Sequence, residues 1–333
     1  MNTHKEVAAD GFVIVGEEIC QKIISRADAF GAVEAVFAAM ARGDAYNFPV
    51  VREAIGHADA LYGFKGGFDR SGLSLGLKAG GYWPGNMDKG LTNHQSTVFL
   101  FDPDTGRLSA LVGGNYLTAI RTAASSSVSI AHLARKDAKV LGMVGAGHQS
   151  AFQLRAAVEQ RAFEKVVAWN PHPDMLPRLG AVAKELGLEF EAVTQEELGA
   201  QADVIITITS AFEPLMMADW VKPGTHIACM GTDTKGKQEV DPALFTRATV
   251  FADEIAQSIT IGEAQHAVGK GLIAEGDITP IGAVINGTHA GRSNAEEITL
   301  FDGTGVGLQD LAVASVAAKL AREQGLVTPI TLG

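Results

Sequence analysis

The sequence predicts an α/β protein in which a parallel sheet covered by helices is joined to a smaller α+β domain. Two observations predict the parallel sheet and a third predicts the second domain. From residue 139 onward, short apolar β-branched runs alternate with helical segments: Val140–Val144, Lys165–Trp169, a run near Phe190, 203–208 and 226–230. Strands that are apolar on both faces imply a parallel sheet with both faces covered. The stretch 139–157, KVLGMVGAGHQSAFQLRAA, runs from strand through Gly145-Ala146-Gly147 into a helix opening near Ser150. At 333 residues the chain exceeds what one hydrophobic core commonly serves, so two domains are expected.

The strand–glycine–helix order is what a dinucleotide pyrophosphate requires. Glycine lets the backbone turn tightly and approach the phosphates, and the helix N-terminus presents N–H groups to the anion. Ser150 stands where the third glycine of the fingerprint falls, and it is small enough for close helix–strand packing. A Rossmann-type domain follows, with its ligand along the carboxyl ends of the strands. The loops there are 147–149, 170–172, 207–210 and 230–233.

The earlier part of the chain differs in texture. Residues 20–42 form an amphipathic pattern ending at Gly43, predicting one helix with Ile23, Ile24, Phe30, Val33, Val36 and Phe37 on its apolar side. Over 72–112 strand alternates with turn, and Asp102-Pro103-Asp104-Thr105-Gly106 is a hairpin turn. Helices are predicted over 117–134, over 174–186, and over 306–324, the last placed to return to the first domain.

Composition excludes several classes of function. A net charge of −11 supplies no basic stripe for nucleic acid. The segment MNTHKEVAAD lacks a signal peptide's apolar core, and no apolar run nears the roughly 20 residues of a membrane span, so a cytoplasmic protein is expected. Cys20 and Cys229 are too few for a disulfide framework. Nine scattered histidines show no metal-ligand spacing, so no metal is expected. Ser125-Ser126-Ser127 lie in a predicted helix and lack a nucleophile elbow.

Several motifs recur in order: GLKAGG around Lys78, FDPDTGRLSALVGG, YLTAIRTAASSSVSIAHLAR, the glycine loop with Gln149, HIACMGTD, GEAQ (262–265), and EITLFDGTGVGLQD. Together they resemble the ornithine cyclodeaminase/μ-crystallin family over essentially the whole chain. The resemblance implies a substrate and dimerisation domain of residues 1–120 plus 305–333 and an NAD-binding Rossmann domain of residues 121–304. It also implies a homodimer and reduction of imines to L-amino acids, the reverse oxidation, or cyclisation of ornithine.

By the same resemblance, Arg52, Lys78 and Arg121 bind a substrate carboxylate, and His94 follows the substrate loop. A planar guanidinium suits a carboxylate best. Lys78 and Asp233 are the expected catalytic residues, either able to move the proton that the substrate nitrogen gains or loses. Cofactor contacts are expected at Thr122, Gly145, Gly147, His148, Gln149, Asn170, Thr207, Thr209, Cys229, Met230, Gly231 and Ser293. Asn170 occupies the place of the ribose-binding acid, and Pro171 and His172 replace the arginine of NADP-using relatives, which favours NAD(H). A phosphate contact from His148 or His172 leaves NADP open.

One departure bears on the substrate. Ornithine cyclodeaminases carry a glutamate in the segment corresponding to 60–67, ALYGFKGG, which here has no carboxylate. Lys65, His94 and Lys235 instead add positive charge, suiting a substrate with a second carboxylate. Iminosuccinate reduced to L-aspartate is the expected reaction. The alternatives are an alanine-dehydrogenase-like or cyclic-imine reductase, an ornithine cyclodeaminase, and a ligand-binding protein of the μ-crystallin kind.

Overall fold

In the computed structural model, which describes residues 11–331, the chain divides into two compact units. One comprises Met1–Arg121 and Val306–Gly333, the other Thr122–Gly305. The elements named below are those of the described residues.

The first unit opens with β1 (Gly11–Val15), α1 (Glu17–Ile23) and α2 (Arg26–Ala41). The single helix expected over 20–42 is thus two. Ser25 makes the break: its hydroxyl accepts from Asp28 N at 3.1 Å, and the Asp28 carboxylate accepts from Ser25 N at 3.0 Å. This reciprocal cap satisfies two amides and starts a new helix. There follow β2 (Ala45–Asn47), β3 (Val51–Ala54), β4 (Leu61–Asp69), β5 (Ser74–Tyr82), β6 (His94–Phe101) and β7 (Leu108–Gly113).

The sheet runs β1-β7-β6-β5-β4-β2, with β3 also on β4 and the C-terminal strand Thr328–Thr331 on the outer edge of β1. Its strands are antiparallel except where β1 meets β7. The C-terminal helix, Gly307–Glu323, packs on one face. Gly76 permits this: a Cβ there would meet Phe99 O at 2.1 Å and Leu311 Cδ2 at 3.0 Å.

Helix α3 (Asn115–Leu133) begins in the first unit and continues into the second. Its first amides, Asn115 N and Tyr116 N, donate to the two oxygens of Glu17 at 2.7 and 3.0 Å. A carboxylate at a helix N-terminus also opposes the positive end of the helix dipole.

The second unit contains β8 (Val140–Val144), α4 (His148–Ala157), β9 (Lys165–Trp169), α5 (Leu176–Glu185), β10 (Glu189–Ala192), α6 (Gln195–Gln201) and β11 (Val204–Thr207). Next come β12 (Phe212–Met216), β13 (His226–Cys229), β14 (Gln238–Val240), β15 (Ala248–Ala252), α7 (Ile255–Ser258) and α8 (Ala264–Gly269). The unit closes with β16 (Ile278–Pro280), α9 (Ile281–Ile285) and β17 (Ile298–Asp302).

The order β10-β9-β8-β11-β13-β17-β15-β16 is parallel throughout, so the expected α/β class is the one observed. Strands β12 and β14 pair separately. Val144, Val167, Ile205, Ile227, Cys229 and Leu300 lie in one buried cluster. Register levels the strand ends: Thr207 pairs with both Val144 and Cys229. The loops after β8, β11 and β13 therefore leave the sheet side by side. No described helix is long and apolar enough to cross a membrane.

Candidate functional site

Strand register places the basic residues of the first unit together. Across the sheet Arg52 pairs with Gly63, Gly63 with Gly80, and Gly80 with Ser96. In the next row Lys65 pairs with Lys78, and beyond the glycines Leu61 pairs with Tyr82 and Tyr82 with His94. Directly paired residues share a face, and residues two apart on a strand return to it. Arg52, Lys65, Lys78 and His94 therefore lie on one face.

The C-terminal helix brings Asp310 to this face. The carboxylate is fully buried and meets Lys78 Nζ at 2.9 Å and Arg121 Nε at 3.1 Å. Gln309 Oε1 accepts from Arg121 Nη1 at 3.0 Å, and Thr118 Oγ1 accepts from Lys78 Nζ at 3.3 Å. Thr118 and Arg121 stand one turn apart on α3, which brings Thr118 to the lysine and Arg121 to the carboxylate that the lysine also meets.

Burial and charge set the protonation states. Burial pushes the Lys78 ammonium down to about 8, with Asp310 opposing the shift and Arg121 and Lys65 adding to it. Burial, with Lys78 next, pushes the His94 imidazole down to about 4, so His94 is neutral near pH 7. Burial tends to raise the Asp310 carboxyl, but the Arg121 and Lys78 cations outweigh it and hold it below the usual range. Among these residues, Arg52, Lys65, Lys78 and Arg121 carry positive charge and Asp310 carries negative charge. Paired lysines on adjacent strands repel. Such a face suits an anionic ligand.

The second unit gathers the other expected residues at the carboxyl ends of its strands. Gly145 has φ +113°, and a Cβ there would meet Ile208 O at 2.6 Å. Gly147 caps α4 with no side-chain hydrogen bond, and a Cβ on it would meet nothing within 4 Å. On the first turn of α4, Gln149 Oε1 is buried with no hydrogen-bond partner. An open cradle of backbone beside an unsatisfied polar atom fits a dinucleotide pyrophosphate and ribose. His148 packs against Phe152 at a ring distance of 5.5 Å.

Asn170 has a task within the loop itself. Its Oδ1 accepts from Ala146 N at 2.9 Å and its Nδ2 donates to His172 O at 2.8 Å, so the buried amide braces the glycine loop. Thr207 and Thr209 turn their hydroxyls to Glu239, at 2.7 and 2.8 Å. Cys229 ends β13 fully buried in the core, and burial pushes its thiol well above the ordinary range. Its side chain packs. Met230 and Gly231 are buried beside it, and Gly231 N donates to Glu239 at 2.9 Å. Thr122 is buried on α3, one residue past Arg121.

Asp233, half-buried, pairs with Lys237 at 2.8 Å, whereas Lys235 is exposed. Ser293 is not brought to the glycine loop. It precedes β17, at the amino end of the parallel sheet, whereas the glycine loop follows β8 at the carboxyl end, and Glu297 takes its hydroxyl at 2.9 Å. Sequence reasoning missed Asp310, Glu239 and Lys237. The GLQD end of the last motif pointed to Asp310, and the run KGKQEV held the other two. No group of three or more His, Cys, Asp or Glu side chains among the described residues could hold a metal.

Comparison with known proteins finds likeness over nearly the whole chain. The family model of the ornithine cyclodeaminase/mu-crystallin family matches residues 12–325. The iminosuccinate reductase of Paracoccus denitrificans is 64% identical over 320 residues, covering 96% of this chain and all of that protein. The crystal structure of that reductase in complex with NAD+ superposes with a TM-score of 0.94 over 97% of this chain and all of that one, at 63% identity. An archaeal alanine dehydrogenase dimer with bound NAD gives a TM-score of 0.91 at 32% identity, again over 97% and 100%.

Asn170→Asp replaces a donor by an anion facing the His172 carbonyl while keeping the acceptor for Ala146 N. The expected cost is about 1–3 kcal/mol of stability, seen as a lower urea midpoint at pH 8. An unchanged midpoint would show that the brace contributes nothing.

Proposed function

This chain belongs to the ornithine cyclodeaminase/mu-crystallin family, and we propose that it is an NAD(H)-dependent imine reductase converting iminosuccinate to L-aspartate. The reading is supported by 64% identity over the full length of a reductase of that name, and by NAD in the two structures compared above. The observation that carries the substrate choice is the cationic face around Asp310. Four cations of this face, Arg52, Lys65, Lys78 and Arg121, stand against the one carboxylate of Asp310, and a dicarboxylate carries the complementary charge.

In this reading Arg121 and Lys78 hold the α-carboxylate, with Asp310 and Gln309 fixing the guanidinium plane. Arg52 and Lys65 attract the second carboxylate, and neutral His94 offers a hydrogen bond without adding charge. The exposed Lys235 takes no part. The bound nicotinamide supplies the hydride.

Lys78 delivers the proton to the imine nitrogen. Its lowered value keeps it charged at neutral pH yet near enough to ambient pH to release a proton. Asp233, held beside Lys237, acts as an anion that stabilises the iminium and the product ammonium.

The glycine loop with Gln149 takes the dinucleotide. With Asn170 committed to the brace, Pro171 and His172 border the ribose, and no arginine follows to attract a 2′-phosphate. NADH is the preferred form.

The protein works as a homodimer in the cytoplasm. The outer face of the first sheet carries Tyr46, Val51, Tyr62 and Phe64, between 39% and 50% exposed. Apolar patches of this kind are seldom left to water, and a second copy would cover them. Its two cysteines are free and buried, in keeping with a reducing compartment.

Two outcomes are expected in steady-state assays. Aspartate formation from oxaloacetate, ammonium and NADH should exceed alanine formation from pyruvate by at least about tenfold in kcat/KM, about 1.4 kcal/mol in the transition state. Comparable rates would remove the dicarboxylate from the reading and leave an alanine-dehydrogenase-like enzyme.

The second outcome concerns pH. Lys78 is charged below about 8 and neutral above it. At fixed imine concentration, kcat/KM for reduction should therefore fall as pH rises through about 8, and Lys78→Met should abolish that limb along with most of the activity. A profile flat to pH 9 would assign the proton to another group.

A further inference from the structure

The motif Gly262-Glu263-Ala264-Gln265 has no part in the chemistry above, yet its side chains converge on the loop that carries Asp233. Glu263, 1% exposed, accepts from Glu239 N and Val240 N, both at 2.8 Å, and from the Thr232 hydroxyl at 2.5 Å. Gln265 Oε1 accepts from Gly236 N at 2.8 Å while its Nε2 donates to Gly262 O at 2.8 Å. His266 Nε2 lies 2.7 Å from Lys237 O. Glu239 completes the grip from the other side: its carboxylate accepts from Gly231 N, the Thr207 hydroxyl, and both the amide and the hydroxyl of Thr209.

The loop 231–240 is thus tied at Gly231, Thr232, Gly236, Lys237, Glu239 and Val240. Asp233 stands within the tied span, and Lys237 Nζ reaches both its Oδ1, at 2.8 Å, and Gly231 O, at 3.3 Å.

We infer that Glu263, Gln265 and His266 are positioning residues that hold the Asp233 loop in place, so that the carboxylate is presented from a fixed backbone. The inference rests on the proposed role of Asp233. Glu263 is a costly residue to bury. Burial, with Glu239 adding to it, pushes its carboxyl up to about 8, a cost that an apolar residue would avoid. What the carboxyl group provides is hydrogen bonds at three points of one loop. The motif's glycine serves the same packing, since a Cβ on Gly262 would stand 2.6 Å from Asp302 Oδ2, Ser258 Cα and Thr304 Cγ2.

The test uses the full-length enzyme with Glu263→Ala, Glu263→Gln and Gln265→Leu, each also combined with Asp233→Asn. Asp233→Asn alone should lower kcat by roughly 10²-fold. Glu263→Ala and Gln265→Leu should lower kcat at least about tenfold with KM for NADH within about twofold, because residues that act through one group fail to add. In the Asp233→Asn background either change should then cost less than about twofold. Glu263→Gln, which keeps an acceptor for the two amides, should restore kcat to within about threefold of wild type.

Hydrogen exchange of amides 231–240 gives a readout independent of the reaction, and it should quicken in Glu263→Ala and Gln265→Leu. Should Glu263→Ala fail to fold, Gln265→Leu carries both measurements. Equal losses in the two backgrounds would mark the motif as merely structural and overturn the inference. Unchanged exchange over 231–240 would overturn it at the clamp. Normal turnover by Asp233→Asn alone would overturn it at its premise, and the exchange data would still report separately on the grip.

Discussion

The Asp310 carboxylate is the constraint on which the first unit's site depends. Lys78 and Arg121, both nearly excluded from water, meet it at 2.9 and 3.1 Å. Without that anion, two buried cations would face each other beside Lys65. Breaking a buried pair by removing one partner commonly costs about 3–5 kcal/mol. With it, the two cations are fixed in direction, while Arg52 and Lys65 add positive charge to the same face. Asp310 lies on the first turn of the C-terminal helix, so this return of the chain contributes a central charge of the site as well as packing.

The second unit solves a related problem with backbone. A parallel sheet delivers adjacent loops to one edge, but loops alone are soft. Here buried side chains staple them: Asn170 joins the loop after β9 to the glycine loop, and Glu239 joins the loop after β11 to the one after β13. Side chains that resembled cofactor ligands from their positions, Asn170, Thr207 and Thr209, bond to the protein itself. The glycine loop and the first turn of α4, by contrast, present an open backbone and the unpartnered Gln149 Oε1.

Local features of this fold were legible in the amino-acid order. Gly145 and Gly147 after five apolar residues marked the strand–turn–helix, because only glycine accepts the φ and the close approach to Ile208 O. The alternating apolar runs marked the parallel sheet. The break at Ser25 was legible in principle as a Ser-x-x-Asp cap, but the apolar pattern running across it hid the signal. Relations between distant residues were not legible. Asp310 meets a lysine 232 positions earlier, and a sheet register has to exist before Lys65 and Lys78 become neighbours. Ser293 was misread because motif order does not say to which end of a strand a loop is attached. Lys235 and Lys237 are equally basic in sequence, and only loop geometry selects the second as the partner of Asp233.

The central claim is that the surplus positive charge around Asp310 selects a second carboxylate. Calorimetric titration of the NAD+-saturated protein with succinate and with butyrate isolates that charge from the chemistry of reduction. The account predicts succinate binding at least about tenfold tighter, with the difference lost in Lys65→Met. Equal affinity for the two acids, or a preference that survives Lys65→Met and Arg52→Met alike, would contradict it.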